Sequence, residues 1–296
     1  MKFKSFILLA GLTGLIVAAG YWLGGRDGVV IAVIFSAVMN FGTYWFSDKI
    51  VLAMYRAKPL SEKESPLSHR IVARIAEKMG IPKPRIYIVN LPVPNAFATG
   101  RDKNHAVVAV TPAILQLLNE KELEGVLAHE LGHIQNRDIL ISSVAATLAG
   151  AISYLAQFAY FAMIFGGGRG RDGNGGNPFG ALAMLILTPI IATLLHLAIS
   201  RSREYLADET GAKILGDSDG LASALQKLHS ASRTRPLIGQ PKHEATAHMF
   251  IVNPFKSSLL TQLFSTHPPM EERVKRLRGL TPHLSETHGS SPRRRR

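Results

Sequence analysis

"LEGVLAHELGHIQNRD", Leu123–Asp138, carries two histidines four residues apart, His129 and His133, with Glu130 beside the first. On an α-helix such a pair stands one turn apart along the axis and about 40° apart around it. Both imidazoles then reach one ion at the ~2.0–2.1 Å that zinc takes from nitrogen. Glu130 sits about 100° further round, a poor direction for a third ligand but within reach of a water on that ion. That is the position of a general base. The stretch reads as a helix. Leu123, Val126, Leu127, Leu131 and Ile134 recur at helical period. Asn119 with Glu122 makes a capping-box-like start. Gly125 and Gly132 interrupt the pattern. Each costs about 1 kcal/mol against Ala in a helix interior, which predicts close approach of another backbone or a ligand.

A catalytic zinc takes three protein ligands and keeps one position open. The third ligand is sought in "SRSREYLAD", Ser200–Asp208, where Glu204 and Asp208 are four apart and share a helix face. Glu204 suits the metal, and Asp208 suits the acceptor that fixes a ligand histidine's tautomer. Taken alone, the stretch reads better as a membrane-flanking helix with ordinary surface carboxylates. Topology shifts the balance toward the site. Two apolar runs, Ile139–Phe165 and Ala181–Ile199, separate His133 from Glu204, so a chain crossing a membrane there returns to the same face. Two imidazoles and a carboxylate are a donor set that suits zinc.

Hydrophobic residues make up 47 % of the 296-residue chain and charged residues only 19 %, with a formal net charge of +13. That balance points to membrane segments. Phe6–Leu23 and Val29–Phe46 are further apolar runs, and all four are near the ~20 residues that cross a bilayer as a helix. Only Gly24–Gly28 separates the first two, so they read as an uncleaved hairpin rather than a signal peptide. The second pair carries Ser142, Ser143, Ser153 and Gln157 and reads either as spanning or as lying against the soluble part. Lys2, Lys4, Lys49, Arg56, Lys58, Arg137, Arg201 and Arg203 flank the runs on one side, against Arg26, Arg169 and Arg171 on the other. The positive-inside bias places both termini and most polar chain in the cytoplasm. The absence of cysteine excludes disulfides and thiolate metal sites.

The expected organisation is α+β and mostly helical, with a small β-sheet and four apolar transmembrane helices. It runs as an N-terminal hairpin (1–52), a first part of a metal-binding domain (53–138), a second hairpin (139–199), a second part (200–285) and a basic tail (286–296). Ile71, Ile75 and Met79 predict a helix stopped by Gly80. Arg85–Asn90 and Ala106–Val110 read as strands, with an extended edge between them. Thr111-Pro112 starts another helix. "GGGRGRDGNGG", Gly166–Gly176, is a flexible connection and not a phosphate loop, because no strand precedes it and no Gly-Lys-Ser/Thr ends it.

"HELGH", then "EYLAD" after an apolar hairpin, then "STHPPMEER", resembles the HtpX-type membrane metalloproteases, gluzincins related to the CAAX prenyl proteases. The resemblance covers essentially the whole chain. It implies a zincin-like domain with one Zn2+ per chain held by His129, His133 and Glu204, with Glu130 catalytic and Asp208 supporting a ligand histidine. It implies that Asn95 and Ala96 in "PNAFATG" contact substrate backbone. It implies that His267 steadies the oxyanion and that Arg273 holds the site together. Implied too are a bacterial inner-membrane location and unfolded or misfolded membrane proteins as substrates, cut at the cytoplasmic face. No specific nucleic-acid partner is implied.

Two other readings stand beside it. An intramembrane protease of the site-2 type also uses His-Glu-x-x-His, but Lys121, Glu122, Glu124, Arg137 and Asp138 flank this motif and are costly inside hydrocarbon. A scaffold binding anionic membrane lipid would use the excess positive charge and the run Arg293–Arg296. Replacing Glu130 separates scaffold from protease.

Overall fold

The computed structural model describes residues 2–145, 147, 201–234, 249–252 and 268–289. In chain order these form α1 (Lys2–Met54), β1 (Lys58–Pro59), α2 (Pro66–Met79), β2 (Arg85–Ile88), β3 (Ala96–Thr99), β4 (Val107–Val110), α3 (Pro112–Leu117), α4 (Glu120–Gln135), α5 (Arg201–Leu215), α6 (Asp219–Thr234) and α7 (Met270–Gly289). A further helical stretch begins at residue 139. The described residues are therefore mostly helical with one small sheet.

Local chemistry sets the element ends. Gly80 ends α2 in the left-handed conformation (φ 64°), and its N–H donates to Ala76 and Glu77 carbonyls. The Thr111 hydroxyl accepts from Ile114 N at the start of α3, with Pro112 at the first helical position. At α4 the Asn119 side chain accepts from Glu122 N at 2.9 Å, and Glu122 Oε2 accepts from Asn119 N at 3.0 Å. The capping box is closed in both directions.

The sheet order is β1-β2-β4-β3. β2 pairs parallel with β4, and β3 pairs antiparallel with β4, Ala96 opposite Val110 and Thr99 opposite Val107. β3 is thus an edge strand although it precedes β4 in sequence. Strand alternation divides the sheet's two faces. Ile86, Ala98 and Val108 join Ile75 and Leu127 in the main core against α2 and α4. Val89, Phe97 and Ala109 form a second core with Val51 and Tyr55 from the end of α1, and with Phe250.

α1 is helical throughout but cannot be straight. A straight helix would hold Thr13 and Asn40 about 40 Å apart at 1.5 Å per residue. Asn40 Nδ2 instead donates to Thr13 Oγ1 at 2.8 Å. The chain folds back between them, near Gly25, whose φ of 57° is a conformation open to glycine. Two helical arms result. Val30, Ile31, Val33, Ile34, Phe35, Val38, Phe41, Tyr44, Trp45 and Phe46 on the second arm are all exposed. Among the described residues, Gly25–Met54 is the helix long and apolar enough to cross a membrane. The predicted spans at 139–165 and 181–199 fall almost wholly outside the described residues, as do the basic tail and His267. Four transmembrane helices stay an expectation.

The glycines of α4 serve helix contact. A Cβ on Gly125 would lie 2.5 Å from Leu221 N of α6, and one on Gly132 would lie 3.0 Å from Ala207 O of α5. Gly211 of α5 returns the favour, with its Cβ position 3.0 Å from His129 N. Backbone-to-backbone packing is what the two predicted helix interruptions make room for, and it brings α5 to the histidine face of α4.

Candidate metal centre

α4 supplies His129, Glu130 and His133, and α5 supplies Glu204 and Asp208. Among the described residues, His129, His133 and Glu204 form a group whose ligand atoms all lie within 4.8 Å of one another. The two Nε2 atoms are 3.2 Å apart. Glu204 Oε1 lies 3.5 Å from His133 Nε2, and Oε2 lies 3.8 Å from His129 Nε2. An ion bound tetrahedrally at ~2.0–2.1 Å would separate two nitrogens by about 3.3 Å.

The ring tautomers follow from what lies behind each imidazole. His129 Nδ1 is 2.9 Å from Asp208 Oδ1, and His133 Nδ1 is 3.0 Å from Asp138 Oδ2. A carboxylate at Nδ1 keeps the proton there and leaves Nε2 with its lone pair. Two lone pairs facing each other at 3.2 Å call for a cation between them.

Asp138, Glu204 and Asp208 lie against the two imidazoles and make the point between them favourable to positive charge. Burial opposes charge on His133, but Asp138, Glu204 and Glu130 outweigh it and raise its pKa to about 10. The field that favours a proton on this ring favours a metal beside it. The residues present fit zinc.

Arg273 on α7 is fully buried. Its Nε donates to Asp208 Oδ2 at 2.9 Å and its Nη2 to Asp208 Oδ1 at 2.7 Å, a two-pronged pair. Its Nη1 is 3.6 Å from Glu204 Oε2. Burial works to raise the Asp208 carboxyl, but Arg273 and His129 hold it below the ordinary range. One arginine thereby steadies both buried carboxylates of α5, Glu204 and Asp208. Glu130 is buried and accepts from Ala98 N at 2.8 Å through Oε2. Burial pushes its carboxyl up, and the charge of Glu204 adds to that, against the pull of both histidines.

The cleft over the centre is lined by Ala98, Ser142, Arg203, Met249 and Ile251 together with the ligands. Ala96 lies on β3 next to it. Asn95 is spent internally: its amide donates to Met249 O at 3.3 Å and accepts from Ile251 N at 3.0 Å. A substrate backbone reaches that amide only by displacing residues 249–251. Sequence reasoning overlooked Asp138, which was read only as a charged flank. Its signal is a buried acid five residues beyond the second histidine, too distant for the helical spacing rule to pick out.

A largely buried His-His-Glu set facing a cleft, with a second glutamate at its edge, is what a metallopeptidase needs, and residues 62–281 match Peptidase family M48, to which this chain belongs. It is a membrane-associated zinc metalloprotease. The chain is 57 % identical over 276 residues to the "Protease HtpX homolog" of Pyrococcus furiosus, covering 93 % of this chain and 94 % of that one. It is 51 % identical over 281 residues to the homologue of Syntrophobacter fumaroxidans, with 94 % and 99 % covered. The homologue of Persephonella marina is 53 % identical over 275 residues, with 93 % and 95 % covered. Among solved structures, S. mikatae Ste24p aligns at 20 % identity with a TM-score of 0.49, over 93 % of this chain and 65 % of that one.

Proposed function

We propose that this protease cuts unfolded or surplus membrane proteins at the cytoplasmic face of the membrane that anchors it. The supporting observation is the His129–His133–Glu204 convergence beside the edge strand β3, which in turn packs against α1. Zinc held there supplies Lewis acidity toward water and the scissile carbonyl. Glu130 is the general base. Its Oε2 is anchored by Ala98 N–H, which leaves Oε1 to take the proton of the attacking water and pass it to the leaving amine. Asp208 and Asp138 keep the Nε2 lone pairs of His129 and His133 directed at the ligand point. Arg273 keeps Asp208 ionised and in place. His267, in the His-Pro-Pro stretch before α7, is the proposed donor to the oxyanion, a contribution of about 3–4 kcal/mol for such a group.

The substrate backbone pairs with β3 as an added strand. Main-chain groups alternate sides along a strand. Thr111 N donates to Asn95 O on the β4 side, while Ala98 N points to Glu130. By alternation the N–H and C=O of Ala96 point away from β4, on the same side as Ala98 N, and are the groups an extended peptide would pair with, while Asn95 acts by holding residues 249–251 as the opposite wall.

The decisive test is Glu130→Gln in full-length protein. We expect cleavage of an unfolded substrate to fall by about 10²–10⁴-fold while zinc content stays at one per chain. Undiminished cleavage would refute the assignment, and a lipid-binding scaffold would show no cleavage in either form.

A further inference from the structure

The direction of β3 relative to the membrane is fixed by two contacts with α1. At one end the Phe97 ring lies against Tyr55, centroids 5.4 Å apart. At the other, the Arg101 guanidinium lies 4.5 Å over the Trp45 ring, and its Nη1 donates to Trp45 O at 3.4 Å. Ten helical residues from Tyr55 back to Trp45 span about 15 Å. Four extended residues from Phe97 to Arg101 span about 13 Å. β3 therefore runs antiparallel to the second arm of α1, and its C-terminal end lies beside Trp45.

That end is the membrane end. The exposed large apolar residues of α1 finish at Phe46, and Val51 and Leu52 beyond them are buried in the protein. Tyr44 and Trp45 have the amphipathic rings that settle at a bilayer surface. A second tie agrees. Gly100 N donates to Ser143 Oγ at 3.0 Å, and Thr99 Oγ1 lies 2.8 Å from the same oxygen. Ser143 belongs to the helical stretch that begins at residue 139 and leads into the next apolar run. The tie also occupies the β3 edge at Gly100, so an added strand would lie along Ala96–Ala98, on the side of Gly100 away from the bilayer.

Resting on the strand-addition reading above, we infer that β3 imposes a polarity on membrane substrates. Antiparallel pairing is the more stable ladder and the one β3 already makes with β4. A peptide paired antiparallel to β3 runs opposite to it, with its N-terminal side at the membrane and its C-terminal side leading away. The favoured substrate is a polar segment on the C-terminal side of a transmembrane span, cut close to where it leaves the bilayer. Ala98 is three extended residues from Arg101, about 10 Å, so the spacer can be short. A segment anchored by a span at its C-terminal end must double back to the bilayer. With an eight-residue spacer it has at most about 27 Å for that turn.

The test uses full-length, zinc-loaded protein in vesicles with four substrates sharing one unfolded segment and one transmembrane helix. The helix is joined at the segment's N- or C-terminal end through a linker of about 8 or about 40 Gly/Ser residues. The soluble segment is the control. With short linkers we expect the N-anchored substrate to be cut at least about tenfold faster, and with long linkers the two rates to converge, as reach ceases to limit effective concentration. Equal or reversed rates at the short linker overturn the polarity. A preference undiminished at the long linker also overturns it, because reach is then not the cause. If the soluble segment too is uncut, the protease reading itself fails.

Discussion

His129 and His133 present the same atom to the same point because each ring is held from behind. Asp208 does this for His129 and Asp138 for His133. The histidines and Glu130 were legible in five letters, since helical spacing alone aligns the pair and sets the glutamate aside. Glu204 needed the topological argument that two apolar runs return the chain to one face. Asp138 was not legible, because its contact follows the turn after α4, where Arg137 adopts a φ of 59° and redirects the chain. The prediction at this scale concerns that residue. Asp138→Ala removes the acceptor at His133 Nδ1 and frees the ring to turn. We expect zinc affinity to fall by about 10–100-fold, read by competition with a chelating indicator, with a smaller loss for Asp138→Asn. Unchanged affinity would show that His133 is positioned by packing alone.

Caps and apolar periodicity announced α2, α3 and α4 in the sequence, because those signals are local. Sheet order was not announced. β3 falls between β2 and β4 in the chain yet sits outside β4, a choice made by long-range burial of Ala98 and Phe97 on opposite faces of the sheet. The glycines of α4 show how one residue type carries opposite meanings in different elements. Propensity favours Ala over Gly in any helix interior by about 1 kcal/mol. At Gly125 that gain meets Leu221 N of α6 at 2.5 Å, a backbone atom that cannot rotate away. At Gly279 of α7 an added Cβ meets nothing within 4 Å. Gly279→Ala should therefore raise the melting temperature, by up to about 1 kcal/mol of stability. Gly125→Ala should lower it and, by levering α6 from α4, broaden the unfolding transition. Thermal unfolding of the two variants in one detergent checks both signs. Stabilisation by Gly125→Ala would mean that the close approach is not required.

The apolar hairpin and the soluble part are legible separately in composition, but the joint between them is not where composition changes. Hydropathy alone ends the hairpin near residue 52, whereas Val51, Leu52 and Tyr55 are buried within the protein, and Val51 and Tyr55 share a core with Phe97, Ala109 and Phe250. The end of α1 is thus part of the floor beneath β3, the strand that carries the Glu130 anchor. Each fully buried large apolar side chain is worth about 1.5–3 kcal/mol. Removing Val51, Leu52 and Tyr55 and uncovering Phe97 and Phe250 would forfeit on the order of 5–10 kcal/mol, against the 5–15 kcal/mol that holds a typical domain. Deletion of residues 1–57 should therefore yield aggregated protein without stoichiometric zinc, even though it removes no site residue. Deletion of residues 1–24 takes away only the first arm and the Asn40–Thr13 bond, and should leave zinc content and cleavage of a soluble unfolded peptide within about twofold of the full chain, since sites with no shared partners act nearly independently. Size-exclusion chromatography with metal analysis of both truncations separates the cases. A monodisperse, zinc-loaded product from the longer deletion would show that the anchor is dispensable to the fold, and that the second core is a seam between two bodies and not a shared foundation.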